Sequence, residues 1–205
     1  MRFYLSSYKL GNNTEKLKKL VPSGKIGYIP SAWDFSGVDP EKRKEHIEED
    51  MDSLRALGLK VELLELHDYF KKRDKLEKKL NELGAIFISG GNVFVLRQAM
   101  RLSGFDEIFK KLCDRKDFLY SGYSAAICVL APELKAYEIV DKIDTPYNEQ
   151  KDIIWDGLGF LDFSFMPHWR SNHPESASIE KEVAYCEQNN IPYRTIKDGE
   201  VVIIE

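Results

Sequence analysis

Short apolar runs alternate with apolar stripes at helical spacing along most of this chain. Residues 2–7 read as a short strand ending in polar residues, and residues 25–30 as a second. A loop rich in Ser, Gly and aromatics covers 31–38. Asp39-Pro40 then opens a helix, because Asp is a good N-cap and Pro is tolerated in a first turn. Ile47, Met51, Leu54 and Leu57 give that helix one apolar stripe, and Gly58 ends it. Residues 59–66 read as a third strand and 74–83 as a charged amphipathic helix. Residues 85–89 form a fully apolar strand, which suits the interior of a parallel sheet. Helices are expected over 92–102 and 105–113, then a strand over 118–121 that feeds a helix over 124–130.

Strands and helices trading places in units of about thirty residues predict right-handed crossovers and an open, mostly parallel α/β sheet. After Pro132 the rhythm changes. Residues 136–143 and 163–167 look like strands joined by a long aspartate-rich connection. A helix is expected over 175–189, and residues 193–196 and 201–204, around Asp198-Gly199, read as a terminal hairpin. No repeat, low-complexity tract or linker interrupts the 205 residues, so one domain is expected.

Composition narrows the function classes. Hydrophobic residues make up 43% and charged residues 31%, an ordinary globular balance. The net charge of −4 and the lack of a basic stripe set nucleic acid aside. Residues 1–8 lack the pattern of a signal peptide, and no apolar run approaches the roughly 18 residues of a membrane span. Cys113, Cys128 and Cys186 are odd in number and lack metal-ligand spacing; free thiols in a reducing cytoplasm are expected.

In an open α/β sheet ligands collect at the carboxyl ends of the strands, and three candidate groups follow strands here. Ser124 sits in Gly122-Tyr123-Ser124-Ala125-Ala126, between a buried strand and a helix. That is how a nucleophilic serine is mounted on a sharp elbow; a serine N-cap is the alternative. Gly90-Gly91-Asn92 is either a simple turn or, with the N–H of Ala125, a source of oxyanion donors. Pro167-His168-Trp169 offers a base. Of the other histidines, His46 is expected on the solvated face of a helix, His67 could approach the same edge, and His173 is the fallback base. A carboxylate to orient the imidazole could come from Glu138, Asp141, Asp144 or Asp198, and the sequence does not choose among them. Cys128 is a competing nucleophile, but its expected burial favours inert packing. No metal-ligand cluster or phosphate loop is present.

Taken together, the segments Ile88-Ser89-Gly90-Gly91-Asn92-Val93-Phe94-Val95-Leu96, Gly122-Tyr123-Ser124-Ala125-Ala126 and Pro167-His168 resemble serine peptidase family S51. Their order and approximate spacing also match, as does Gly27-Tyr28-Ile29-Pro30-Ser31-Ala32. The resemblance implies a three-layer α/β sandwich of flavodoxin-like or class I amidotransferase-like type. It implies Ser124 as nucleophile, His168 as general base and Gly91 and Ala125 as oxyanion donors. It further implies a small peptide substrate, plausibly a dipeptide with an N-terminal acidic residue, and no metal or organic cofactor. Arg170, close to His168 in sequence, is a candidate to receive the acidic side chain. Ala126 stands where the family usually has Gly, which keeps a non-catalytic binding or regulatory module as the alternative. A homodimer is compatible with all of this.

Overall fold

The computed structural model describes residues 1–205. Its sheet is built on β1 (Arg2–Ser6), β2 (Lys25–Ile29), β3 (Lys60–Leu63), β4 (Ala85–Ile88) and β5 (Leu119–Tyr123), all parallel, in the order β3-β2-β4-β5-β1. A last strand, β8 (Val201–Ile204), adds to the free edge of β1 in the antiparallel sense. Every residue of β4 and β5 is buried, as a central strand covered on both faces requires.

The pleat divides the core into two layers. Ile86 and Ile88 face a large cluster that includes apolar residues of α3 (Arg73–Leu83), α4 (Val93–Ser103), α5 (Phe105–Cys113) and α6 (Ala125–Cys128). Ala85 and Phe87 join a smaller cluster with Leu17 and Leu20 of α1 (Thr14–Leu20) and Ile47, Met51 and Leu54 of α2 (Pro40–Ala56). The result is a three-layer α/β sandwich. Local signals set the helix ends. Asp39 accepts from the N–H groups of Glu41 and Lys42 at the start of α2, and Asn92 accepts from those of Phe94 and Val95, both at 3.0 Å, at the start of α4.

Two expectations are corrected, and one element is added. Residues 136–143 are not a strand: Lys135–Ile139 is a 3₁₀ turn. Ala136 and Tyr137 are adjacent and both buried, which the alternating faces of a half-buried strand would not allow. The terminal hairpin does not form either. β7 (Tyr193–Thr195) pairs in parallel with β6 (Ser164–Met166), a separate two-stranded sheet, while β8 leaves it for β1. The free edge of β1 offers a row of unpaired backbone groups, and β8 covers it. Finally, α1 was not expected; Leu17 and Leu20 are its only buried residues in a lysine-rich stretch. Helix α7 (Ser176–Gln188) falls where expected.

Gly122 is fixed by close packing. A Cβ there would lie 2.4 Å from the Ile88 carbonyl oxygen and 2.6 Å from the Ala126 Cβ, and its φ is +156°. The methyl group of Ala126 therefore packs over a glycine that leaves it room. Gly122→Ala is expected to lose about 2–4 kcal/mol of stability through overpacking and backbone strain. An unchanged urea midpoint would show that the elbow can absorb the methyl group.

Candidate active site

The carboxyl ends of β1, β4 and β5 bring Ser7, Gly90-Gly91 and Ser124 to one edge of the sheet. Ser124 leaves β5 at φ 49°, ψ −111°, a region uncommon for any residue but glycine. The N–H groups of Ile127 and Cys128 donate to its carbonyl, and its own N–H donates to Ser6 O at 3.4 Å. Ser124 stands at the N-cap position of α6, but its side chain makes no capping bond. Its Oγ instead lies 3.2 Å from His168 Nε2.

His168 follows β6 and is 1% exposed. Its backbone N–H donates to Ser7 Oγ at 2.8 Å. On the far side of the ring, Nδ1 lies 2.7 Å from Asp198 Oδ1. Asp198 is held in turn: its N–H donates to Ser171 Oγ at 2.9 Å, and Ser7 Oγ lies 2.9 Å from its Oδ1. The chosen carboxylate is thus the one in the β7–β8 turn. Glu138 pairs with Lys135, Asp141 accepts from the Val93 N–H, and Asp144 accepts from the Ser36 hydroxyl; none of these contacts involves His168.

Burial holds the His168 imidazole below its ordinary 6.5. His173, stacked on it at 3.7 Å and 9° between planes, acts in the same direction. Asp198 opposes both. At neutral pH the ring is therefore uncharged, with the Nδ1 proton directed to Asp198 and Nε2 free to accept from Ser124.

The neighbouring glycines are there for space. A Cβ on Gly90 would meet the Tyr123 ring at 2.6 Å and Ser124 Cβ at 3.0 Å, and one on Gly91 would meet the Ala32 carbonyl oxygen at 2.6 Å. The Gly91 N–H donates to no backbone carbonyl. Ala125 is the first residue of α6, where a backbone N–H lacks an intrahelical acceptor. Gly90, Gly91, Ser124 and His168 line a cleft of about 340 Å³ together with Tyr8, Lys9, Trp33 and His46. A larger depression of about 590 Å³, lined mostly by Lys71 to Lys75 and Arg101 to Gly104, lies elsewhere and holds no candidate nucleophile.

Other candidates are placed differently from expectation. His46 is not solvated: it stacks on Trp33 at 4.0 Å, lies 3.1 Å from the Tyr123 hydroxyl, and burial pushes it down to about 4. His67 sits with Asp34 and Glu65 and does not line the cleft. Arg170 stacks over Trp169, pairs with Glu180 and is turned to solvent. The Cys128 thiol is buried against the Phe165 carbonyl and pushed well up by burial, so it is inert packing.

The sequence model of Peptidase family S51 matches residues 7–205. The chain belongs to peptidase family S51. Curated relatives include an uncharacterized peptidase of Listeria innocua serovar 6a, 30% identical over 68% of this chain and 63% of its own length. Peptidase E of Streptomyces coelicolor is 27% identical over 62% of this chain and 51% of its own length. This chain thus spans about half to two thirds of those relatives. A crystal structure of a candidate peptidase E from Listeria monocytogenes EGD-e superposes with a TM-score of 0.74 at 22% identity, covering 100% of this chain and 98% of that one. A peptidase from an acI-B1 Actinobacterium gives 0.68 at 16% identity, over 100% of this chain and 83% of its own. Both likenesses show the expected flavodoxin-like fold of the S51 chain.

Sequence reasoning did not single out Ser7, which binds both His168 and Asp198. The signal was a polar residue closing an apolar strand. It also missed Asp50, buried beneath the cleft, which accepts from Tyr28, Tyr123 and Lys9.

Asp198 and, more weakly, Glu175 favour protonated His168, and removing the charge on Asp198 removes the stronger of the two. Asp198→Asn is therefore expected to lower the His168 pKa further, as read by NMR titration of the ring. A rise would show that Asp198 does not govern the imidazole.

Proposed function

We propose that this S51 chain is a serine peptidase of short peptides in which Ser124, His168 and Asp198 act as a unit. The observation that carries the reading is the unbroken contact from Ser124 Oγ to His168 Nε2 at 3.2 Å and from His168 Nδ1 to Asp198 at 2.7 Å. Ser124 Oγ attacks the scissile carbonyl carbon while its proton passes to His168 Nε2. Charge gathers on the carbonyl oxygen, where the N–H groups of Gly91 and Ala125 receive it. The C–N bond then breaks, and His168 returns its proton to the leaving amine. Water, activated by the same imidazole, releases the acyl group and restores Ser124.

The cleft suits a small peptide: its volume is at the low end of the roughly 300–1,000 Å³ typical of small-ligand sites. The acidic N-terminal residue that the resemblance implies finds one cation there, Lys9, already bonded to Asp50 at 2.6 Å. No helix is long and apolar enough to cross a membrane.

An uncharged fluorophosphonate is expected to label the protein at Ser124, and Ser124→Ala is expected to lose labelling and to cut peptide turnover by roughly 10⁴-fold or more. Equal labelling of the two proteins, or none of either, removes the serine mechanism. Because burial and His173 hold His168 below 6.5, the acid limb of kcat/KM is expected below pH 6.5. A limb above that value would point to a different base.

A further inference from the structure

A second, smaller cavity opens behind the nucleophile. Its lining includes Ser124 and Ala125, the carboxyl groups of Asp141, Glu175 and Glu182, and apolar groups such as Val140 and Ile179. No lysine, arginine or histidine lines it. Ser124 and Glu175 also line the main cleft, so both spaces border the reacting serine.

Glu182 is the decisive residue. It projects from α7 into a site where it is 1% exposed, and its Oε2 has no hydrogen-bond partner. A buried carboxylate oxygen without a donor costs free energy unless something pairs with it. Asp141 keeps one donor, the Val93 N–H at 2.7 Å. Glu175, half-exposed, stands at the boundary with the cleft. Burial and mutual repulsion push Glu182 up to about 9 and Asp141 up to about 7, so an entering cation displaces the Glu182 proton and takes its place as the partner of the orphan oxygen.

Size sets the kind of cation. The cavity holds about 20 Å³, room for about one water-sized group. A primary ammonium is that size and presents three donors; a guanidinium is a wider, planar group. We propose that this pocket binds a primary ammonium on the residue whose carbonyl Ser124 attacks, with Glu182 as the specificity-determining carboxylate. The inference rests on Ser124 as the nucleophile for its meaning, since the ammonium is placed relative to the scissile bond.

Two sources share this chemistry, the α-ammonium of an N-terminal residue and the ammonium of a short side chain. Calorimetry on the full chain separates them without turnover. The ligands are alaninamide, N-acetylalaninamide and N-acetyl-2,3-diaminopropionamide. At least one amine is expected to bind about tenfold or more tightly than N-acetylalaninamide. Preference for alaninamide assigns the α-ammonium, and preference for the diaminopropionamide assigns the side chain. Glu182→Gln is expected to erase the preference, and Asp141→Asn, a second folded variant checked by circular dichroism, to weaken it. Equal binding of charged and acetylated ligands, or a preference that survives Glu182→Gln, overturns the inference. Fluorophosphonate labelling of the same samples reports Ser124 separately, so loss of the ammonium preference with intact labelling leaves the serine mechanism standing.

Discussion

Val201 of β8 pairs with Ser6 of β1, and that register hangs the 197–200 turn over the carboxyl edge of the sheet. A single hydroxyl then ties the two ends of the chain together. Ser7 Oγ accepts from the His168 N–H and lies within hydrogen-bond distance of the Asp198 carboxylate and the Ile196 carbonyl. Strand β1, the loop after β6 and the turn before β8 are thereby fixed to one another. The imidazole needs all three, because its position, tautomer and carboxylate partner come from different parts of the sequence.

The serine is positioned by a different constraint, close packing of backbone. Gly122 lets β5 pass within van der Waals contact of β4 and Ala126, and Gly90 lets the next loop cross over Tyr123 and Ser124. With those approaches fixed, Ser124 is held at positive φ by bonds to both its N–H and its carbonyl. Strain of this kind costs of order 1–3 kcal/mol and survives only where the surroundings over-determine it. The buried strands β4 and β5 supply that rigidity. The site is thus rigid where the nucleophile stands and depends on loop-to-loop hydrogen bonds where the base stands.

This division explains what could be read from sequence. The parallel core was legible because apolar runs such as 85–89 and helix signals such as Asp39-Pro40 are local. Ser124, Gly91 and His168 were legible because each directly follows a strand and so has to lie at the carboxyl edge. Asp198 was one of four equal choices because its role depends on where β8 pairs, a long-range fact. The reading of residues 193–204 as a hairpin concealed it: a hairpin would have kept Asp198 as a surface turn. His46 was misread for a related reason. Its helix looks polar around it, and only the approach of Trp33 and Tyr123 from other segments buries it.

The electrostatics around His168 follow from the same geometry. Burial and the stacked His173 make the imidazolium a stronger acid than an exposed one, while Asp198 limits that effect. A weaker base is a disadvantage in taking the serine proton, but the resulting acid is well suited to protonating an amine, a poor leaving group. The Glu175 N–H donates to His173 Nδ1 at 3.3 Å and holds that ring in place. His173 covers one face of His168 by stacking on it at 3.7 Å. Breaking an amide requires both proton transfers to run through one group. A base held close to its nucleophile at 3.2 Å recovers through proximity what it gives up in basicity.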